Sequence, residues 1–281
     1  MIKKFLIFSY GSLCAAAISF FSTPVVTLLV IPEEFGKSSM FTVVLNLIYQ
    51  VGLLGLDQSF IRMFHERKDP AQRSGLARQC FFFAFCMTLL IICCLLPFWR
   101  HVSAMLFEGE DFSATLILAL CLLMSVVYRF AASVLRMNMR GNALSITQIV
   151  GMIVYVTVVI VYARYVSSSF HAIVWGTAVS LFVSIAISVL LEVRFWMRRS
   201  QVKIFDSVEM ARIFNYGLPL VPFLVIAYIF QSMDKIALRA YSSFEEIGLY
   251  AAAGKFVFML AIIQTGFYLF WQPMALERYE A

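Results

Sequence analysis

The stretch from Ala172 to Leu191 is AIVWGTAVSLFVSIAISVLL, and it contains no charged residue. A helix of about 20 apolar residues crosses the roughly 30 Å hydrocarbon layer of a bilayer. Inside that layer the backbone must satisfy its own hydrogen bonds, so a helix is the expected form of such a stretch. This segment alone therefore predicts a transmembrane helix.

Similar stretches recur along the chain and predict an all-α polytopic membrane protein with about eight transmembrane helices. The composition agrees, because 62% of the 281 residues are hydrophobic and 14% are charged. A soluble domain has about 45–50% apolar and about 25% charged residues. The predicted spans are Phe5–Ile31, Phe41–Phe60, Cys80–Phe98, Ala114–Leu135, Ala143–Ala163, Ala172–Leu191, Ile213–Met233 and Gly248–Trp271.

Positive charge alternates between the connections and predicts the orientation. Cytoplasmic segments of membrane proteins carry an excess of Lys and Arg. One set of segments, which includes both termini, is rich in basic residues: Lys3, Lys4, Arg62, Arg67, Lys68, Arg73, Arg78, Arg136, Arg140, Arg194, Arg198, Arg199, Lys203, Arg212 and Arg278. The opposite set holds only Lys37, Arg100, Arg164, Lys235 and Arg239. We therefore expect the N-terminus and the C-terminus to be cytoplasmic.

Several function classes are disfavoured by the same sequence. The net charge of +6 is spread over short clusters between apolar runs, which does not indicate a nucleic-acid partner. Membrane enzymes need convergent acids or histidines, whereas His65, His101 and His171 lie in connections without a partner constellation. The cysteines fall inside predicted spans without metal-ligand spacing. We therefore expect no enzyme, disulfide, metal or cofactor.

A short internal repeat suggests two related halves. Pro32-Glu33-Glu34-Phe35-Gly36 lies between the first two spans, and Phe244-Glu245-Glu246-Ile247-Gly248 lies between the last two. A Tyr-Gly pair precedes each copy, at Tyr10 and at Tyr216. Both copies fall on the same predicted side, as in transporters with parallel repeats, whose substrate site lies between the halves. We expect a six-helix lobe over 1–200 and an incomplete second lobe of two helices over 201–281.

Four stretches resemble bacterial polysaccharide (oligosaccharide) flippases of the multidrug/oligosaccharidyl-lipid/polysaccharide exporter superfamily. They are Gly55–Glu66 (GLDQSFIRMFHE), Tyr216–Pro222 (YGLPLVP), Ser232–Lys235 (SMDK) and Glu245–Lys255 (EEIGLYAAAGK). The resemblance implies transport of a polyprenyl-diphosphate-linked oligosaccharide from the cytoplasmic to the outer leaflet of the bacterial inner membrane. Implied partners are the lipid-linked glycan, membrane lipids and other polysaccharide-assembly proteins. Family members usually have twelve or more helices, so the resemblance also implies truncation after the eighth.

Charged residues inside the predicted spans or at their ends are the candidate site. A charge at the bilayer centre is costly and usually faces a cavity or a partner. Arg and Lys can replace the water that a diphosphate loses, so we predict a substrate-binding cavity formed by Arg129, Lys255, Arg62 and Lys235. The alternatives are intramembrane ion pairs for Arg129 and Lys255, and anchoring at the membrane interface for Arg62 and Lys235.

Asp57 and Asp234 are the predicted charge partners or ion-coupling residues. Asp57 has two candidate partners, Arg62 on the same helix and Lys255 across the repeat interface. A proton or a sodium ion is a further candidate ligand of Asp57.

Three prolines, Pro24, Pro219 and Pro222, are predicted hinges, because proline frees a carbonyl group inside a helix. Two other functions remain open alternatives. A drug or cation antiporter of the sister family would favour carboxylates in the cavity, and a truncated remnant or scaffold would not transport.

Overall fold

The computed structural model describes residues 2–107, 109–198, 207–255 and 257, and these residues form helices and connections without a strand. The helices are α1 (Ile2–Leu29), α2 (Pro32–Leu53), α3 (Leu56–Phe64), α4 (Pro70–Leu95), α5 (Trp99–Phe107), α6 (Phe112–Met137), α7 (Gly141–Tyr165), α8 (His171–Leu191), α9 (Val193–Met197), α10 (Ser207–Gly217) and α11 (Leu220–Tyr241). A 3-10 turn, Leu96–Phe98, joins α4 to α5. A further helix, α12, covers residues 244–255.

Helix length and hydropathy confirm an all-α polytopic membrane protein. Across the described ranges, five helical segments are long and apolar enough to cross a bilayer: Pro70–Phe107, Phe112–Met137, Gly141–Tyr165, His171–Leu191 and Val208–Tyr241. The count is six if α2 and α3 form one bent span. Helix α1, with 28 residues, also contains an apolar segment, Leu13–Leu29. The predicted span Gly248–Trp271 lies largely outside the described residues.

The predicted span Phe41–Phe60 is divided by a bend in the structure. The chain bends by 55° between α2 and α3. Leu54 and Gly55 both have left-handed backbone angles, with φ of 51° and 65°, and this conformation ends α2 and starts α3 in a new direction. The bend matters for the site because Asp57 lies in the first turn of α3.

The connections between the long helices gather at two ends of the bundle. At the first, the arginine end (residues 62–74, 136–141, 192–198 and 207–217), the hydroxyl of Ser74 donates to the carbonyl of Phe195 at 2.9 Å. At the same end Arg140 pairs with Glu192 at 3.2 Å and Arg212 with Glu66 at 2.6 Å. Three basic-rich connections of the sequence thus lie together, while Arg199, Lys203 and Arg278 lie outside the described residues.

The second end is the glutamate end (residues 30–37, 105–107, 109–113, 165–172 and 239–248). Here the Glu34 carboxylate accepts a hydrogen bond from the backbone N–H of Phe170 at 2.8 Å. The ring of Phe107 stacks on that of Phe170 with 4.6 Å between centroids. Arg239 donates to the carbonyl of Met105 at 3.1 Å. Successive connections therefore alternate between the two ends, as expected for helices that cross the bilayer in turn.

Small residues bring the helices of the bundle close together. A Cβ atom built on Gly11 of α1 would lie 2.3 Å from the Cα of Ser145 on α7. One on Gly151 of α7 would lie 2.4 Å from the hydroxyl of Ser184 on α8. In lipid, where apolar surface alone does not drive helices together, such close approach provides the packing energy.

The predicted hinge prolines occupy two kinds of position. Pro24 lies inside α1, which continues without a break to Leu29. Pro219 lies at the break between α10 and α11, and Pro222 lies in the first turn of α11. Their role as hinges stays a prediction.

Candidate functional site

An ion pair between Asp57 and Arg129 joins α3 to α6. The Arg129 guanidinium donates to Asp57 Oδ2 from Nη2 at 2.6 Å and from Nε at 2.9 Å. The side chain of Asp57 is 2% exposed and that of Arg129 is 32% exposed. The carboxylate is therefore fixed inside the protein, whereas part of the arginine reaches the surface of the bundle.

The second oxygen of Asp57 has a different environment. Oδ2 also accepts a hydrogen bond from Gln58 Nε2 at 2.9 Å. Oδ1 is buried and has no hydrogen-bond partner in the part of the chain that the structure describes. A buried carboxylate oxygen without a donor is costly, so this atom is a position at which a hydrogen-bond donor or a cation would be favoured.

The two partners considered for Asp57 in the sequence, Arg62 and Lys255, are not the observed ones. On a helix, residues five positions apart do not share a face, so Arg62 points away from Asp57 and is exposed. Arg129 reaches Asp57 because α3 and α6 pack against each other.

Lys255 on α12 lies against Phe35 of the first repeat segment, and Lys235 lies on the preceding helix, α11. Lys255 Nζ lies 5.1 Å from the ring centroid of Phe35, in a cation–π contact. The positive charge of Lys235 also acts on Lys255, so the two ammonium groups repel each other. Both side chains are half-buried.

Lys235 and Lys255 form no ion pair with any residue that the structure describes. Over the described ranges, no carboxylate oxygen lies within 4.0 Å of either ammonium group. The adjacent Asp234 instead accepts a hydrogen bond from the hydroxyl of Tyr250. Two cations that share a region without an anion form a favourable environment for a negatively charged ligand.

The two copies of the repeat touch each other at the glutamate end. A Cβ atom on Gly36 would lie 2.0 Å from the carbonyl oxygen of Phe244. One on Gly248 would lie 1.8 Å from the carbonyl oxygen of Pro32. The first residue of each copy thus meets the last residue of the other, which is the reciprocal contact that a two-fold relation produces.

A match to a family model identifies the class of protein that carries this arrangement. The model, described as polysaccharide biosynthesis protein, matches residues 25–267 of the 281. The chain belongs to the polysaccharide biosynthesis protein family. The match includes each predicted site residue except Pro24, and it confirms the resemblance to the polysaccharide exporter superfamily. No curated protein and no solved structure gives a significant match to this polysaccharide biosynthesis protein.

Two functional contacts of this polysaccharide biosynthesis protein were not expected from sequence. In the sequence Phe35 was noted only as part of the repeat, although its ring makes a cation–π contact with Lys255. His171 was interpreted as lacking partners, yet its Nε2 lies 2.8 Å from Asp111 Oδ2. A signal for Asp111 was available, because an aspartate before an apolar run is a typical helix N-cap.

Asp111 combines several stabilising contacts at the start of α6. Its Oδ1 accepts hydrogen bonds from the Ala114 N–H at 3.0 Å and from the Ser113 hydroxyl at 2.8 Å. Burial acts to raise the pKa of Asp111, but these hydrogen bonds and the charge of His171 outweigh it and lower the pKa. The carboxylate is therefore ionised over the physiological range.

Proposed function

We propose that this polysaccharide biosynthesis protein is a transporter rather than an enzyme. It moves a polyprenyl-diphosphate-linked oligosaccharide from the cytoplasmic to the outer leaflet of the bacterial inner membrane, for surface polysaccharide assembly. Family membership supports a role in polysaccharide biosynthesis. The observation that carries the proposal is the Lys235–Lys255 pair, which has no carboxylate within 4.0 Å in the described residues.

The chemistry of the substrate matches this pair. A diphosphate carries about two negative charges and loses its hydration when it enters the bundle. Ammonium groups at bilayer depth are themselves costly, so bringing the diphosphate and the lysines together reduces both penalties. The prenyl chain stays in the lipid, where its transfer requires no polar contact.

Arg129 and Arg62 extend the proposed path toward the arginine end. Arg129 keeps its Nη1 nitrogen without a hydrogen bond to any described residue, so a phosphate oxygen can bind there while Asp57 holds the other nitrogens. Arg62 is exposed on α3 and is suited to the first encounter with the head group.

The proposed orientation has the arginine end in the cytoplasm, since basic connections are retained on that side. A diphosphate that moves outward then follows the membrane potential, which supplies about 2.3 kcal/mol per charge for 100 mV. We also propose the lobe division at residues 200 and 201, with the reciprocal glycine contact as its interface. The glycan, membrane lipids and other assembly proteins are the proposed partners.

Complementation tests the proposal. The wild-type gene and the variants Lys235→Gln and Lys255→Gln are expressed in a strain that lacks its own glycan flippase. We expect each variant to lower surface glycan by at least about tenfold, because the diphosphate loses a counter-charge. Arg164→Gln is the matched control, since Arg164 is exposed near the end of α7. Equal rescue by wild type and both lysine variants would reject the assigned site.

A further inference from the structure

The contact between the two repeat segments closes the glutamate end of the bundle. Gly36 and Gly248 approach so closely that a Cβ atom on either would lie within 3.1 Å of the other's backbone nitrogen. The same Cβ atoms would lie at or below 2.0 Å from the carbonyls of Phe244 and Pro32. Only hydrogen fits at these positions, so the closed arrangement depends on glycine in both copies.

The residue before Gly36 contacts the candidate anion site. Phe35 is 5% exposed and packs in an apolar cluster with Val26 and Val30. Lys255 Nζ lies over its ring at 5.1 Å. Lys255 and Gly248 are on the same helix, two turns or about 10 Å apart along its axis. Lysine side chains lean toward the helix N-terminus, which directs Lys255 toward the glycine contact.

We propose that these four residues, Phe35, Gly36, Gly248 and Lys255, form an anion-sensitive latch. In the closed state Lys255 rests on Phe35 and stabilises the glycine contact beside it. A phosphate group that binds Lys255 draws the ammonium group away from the ring and thereby favours separation of the two segments. The inference rests on the proposed function, since the diphosphate of the substrate is the anion.

Phosphate favours the separated state because a phosphate oxygen and the Phe35 ring compete for the ammonium group of Lys255. A phosphate oxygen gives the ammonium group a charge-assisted hydrogen bond, which an aromatic face does not. A ligand shifts a conformational equilibrium only through its different affinity for the two states. Here the closed state engages Lys255 with Phe35, so the anion binds the separated state better and opens the latch.

A distance measurement tests the glycine contact without any ligand. Spin labels are attached at Glu33→Cys and Glu245→Cys, two exposed and equivalent repeat positions, in the full chain with its native cysteines replaced. Pulsed EPR in lipid nanodiscs should give one short distance. We expect Gly36→Ala to lengthen and broaden that distance. Gly254→Ala is the control on the same helix, because a Cβ atom there would meet nothing within 4 Å, and it should change nothing.

Inorganic diphosphate is the probe for the coupling. We expect a saturating concentration to lengthen the same distance in the otherwise native chain and to have no effect in Lys255→Gln. Phe35→Leu preserves the apolar packing but removes the competing ring. It should tighten diphosphate binding by about two- to fivefold, which corresponds to the strength of an exposed cation–π contact.

The outcomes separate this inference from the proposed function. If diphosphate binds through Lys255 and the distance does not change, the latch is wrong although the anion site stands. Unchanged distances in Gly36→Ala also overturn the latch, whatever the ligand does. If the native chain binds no diphosphate, both the assigned site and the coupling fail. A variant that elutes as aggregate is replaced by Gly248→Ala, which tests the other side of the same contact.

Discussion

Arg129 and Lys255 are both cations within apolar helices, but their charges have different kinds of partner. Arg129 is bound by Asp57 through two of its nitrogens. Lys255 rests on an aromatic ring, beside a second lysine. Arg129 therefore has two nitrogens committed to the structure and one left for a ligand. Lys255, with no carboxylate oxygen within 4.0 Å among the described residues, has its whole ammonium group available.

The largest expected effect comes from breaking the Asp57–Arg129 pair. Arg129→Leu leaves the buried Asp57 carboxyl group without its partner, which should lower the free energy of unfolding by about 3–5 kcal/mol. SDS titration followed by circular dichroism measures this change. The double variant Asp57→Leu/Arg129→Leu should recover most of the loss, because it removes the orphaned carboxyl group as well. A double variant as unstable as the single one would contradict the pairing.

A smaller effect is expected at the turn that directs Asp57 toward Arg129. Gly55 has a φ of 65°, and a Cβ atom there would lie 2.3 Å from the carbonyl oxygen of Gly217. Gly55→Ala should therefore lower the free energy of unfolding by about 2 kcal/mol. The same SDS titration on Gly254→Ala gives the control. Equal stability of the two variants would mean that the bend does not support the ion pair.

Removing the charge of Lys255 should raise the free energy of unfolding, whereas the two preceding substitutions lower it. Lys255→Met eliminates the repulsion from Lys235 and the penalty of a charge in an apolar helix, at the cost of one cation–π contact. We expect the free energy of unfolding to rise by about 1 kcal/mol in SDS titration, while transport falls. If Lys255→Met lowered the free energy of unfolding as much as Arg129→Leu does, the claim that Arg129 stabilises the fold and Lys255 does not would be wrong.

The smallest effect concerns the half-buried pair of Asp111 and His171 at the glutamate end. Folding lowers the pKa of Asp111, so its contribution to stability is present above its ordinary pKa of 3.8 and is lost as the pH falls below that value. The free energy of unfolding of the wild type should therefore fall between about pH 5 and pH 3. In Asp111→Asn this fall should be smaller, by less than about 1 kcal/mol. Thermal unfolding across that range measures the slope, with Ser113→Ala as a milder comparison.

The sequence predicts the helices well, because long apolar runs such as Ala172–Leu191 have few other stable forms in a bilayer. It does not predict the bend at Leu54, a residue with no intrinsic preference for left-handed angles. Nor does it predict which charges pair. Asp57 and Arg129 are 72 residues apart, and only the packing of α3 on α6 makes them neighbours.

The repeat predicted that two distant segments are related, and it correctly directed attention to their interface. It did not reveal that Gly36 and Gly248 touch, since a four-residue match carries no information on distance. The sequence also contained no indication that Phe35 is the partner of Lys255. With 28 phenylalanines in the chain, the residue type alone does not distinguish Phe35 from the others.

The most direct test of the account uses purified protein in liposomes that contain a polyprenyl-diphosphate oligosaccharide with a fluorescent sugar. The fraction that becomes accessible to an external lectin reports flipping. The account predicts that wild-type protein and Arg164→Gln flip at the same rate, and that Lys235→Gln/Lys255→Gln is slower by at least about tenfold. Equal rates in all three proteins would contradict the claim that Lys235 and Lys255 bind the diphosphate.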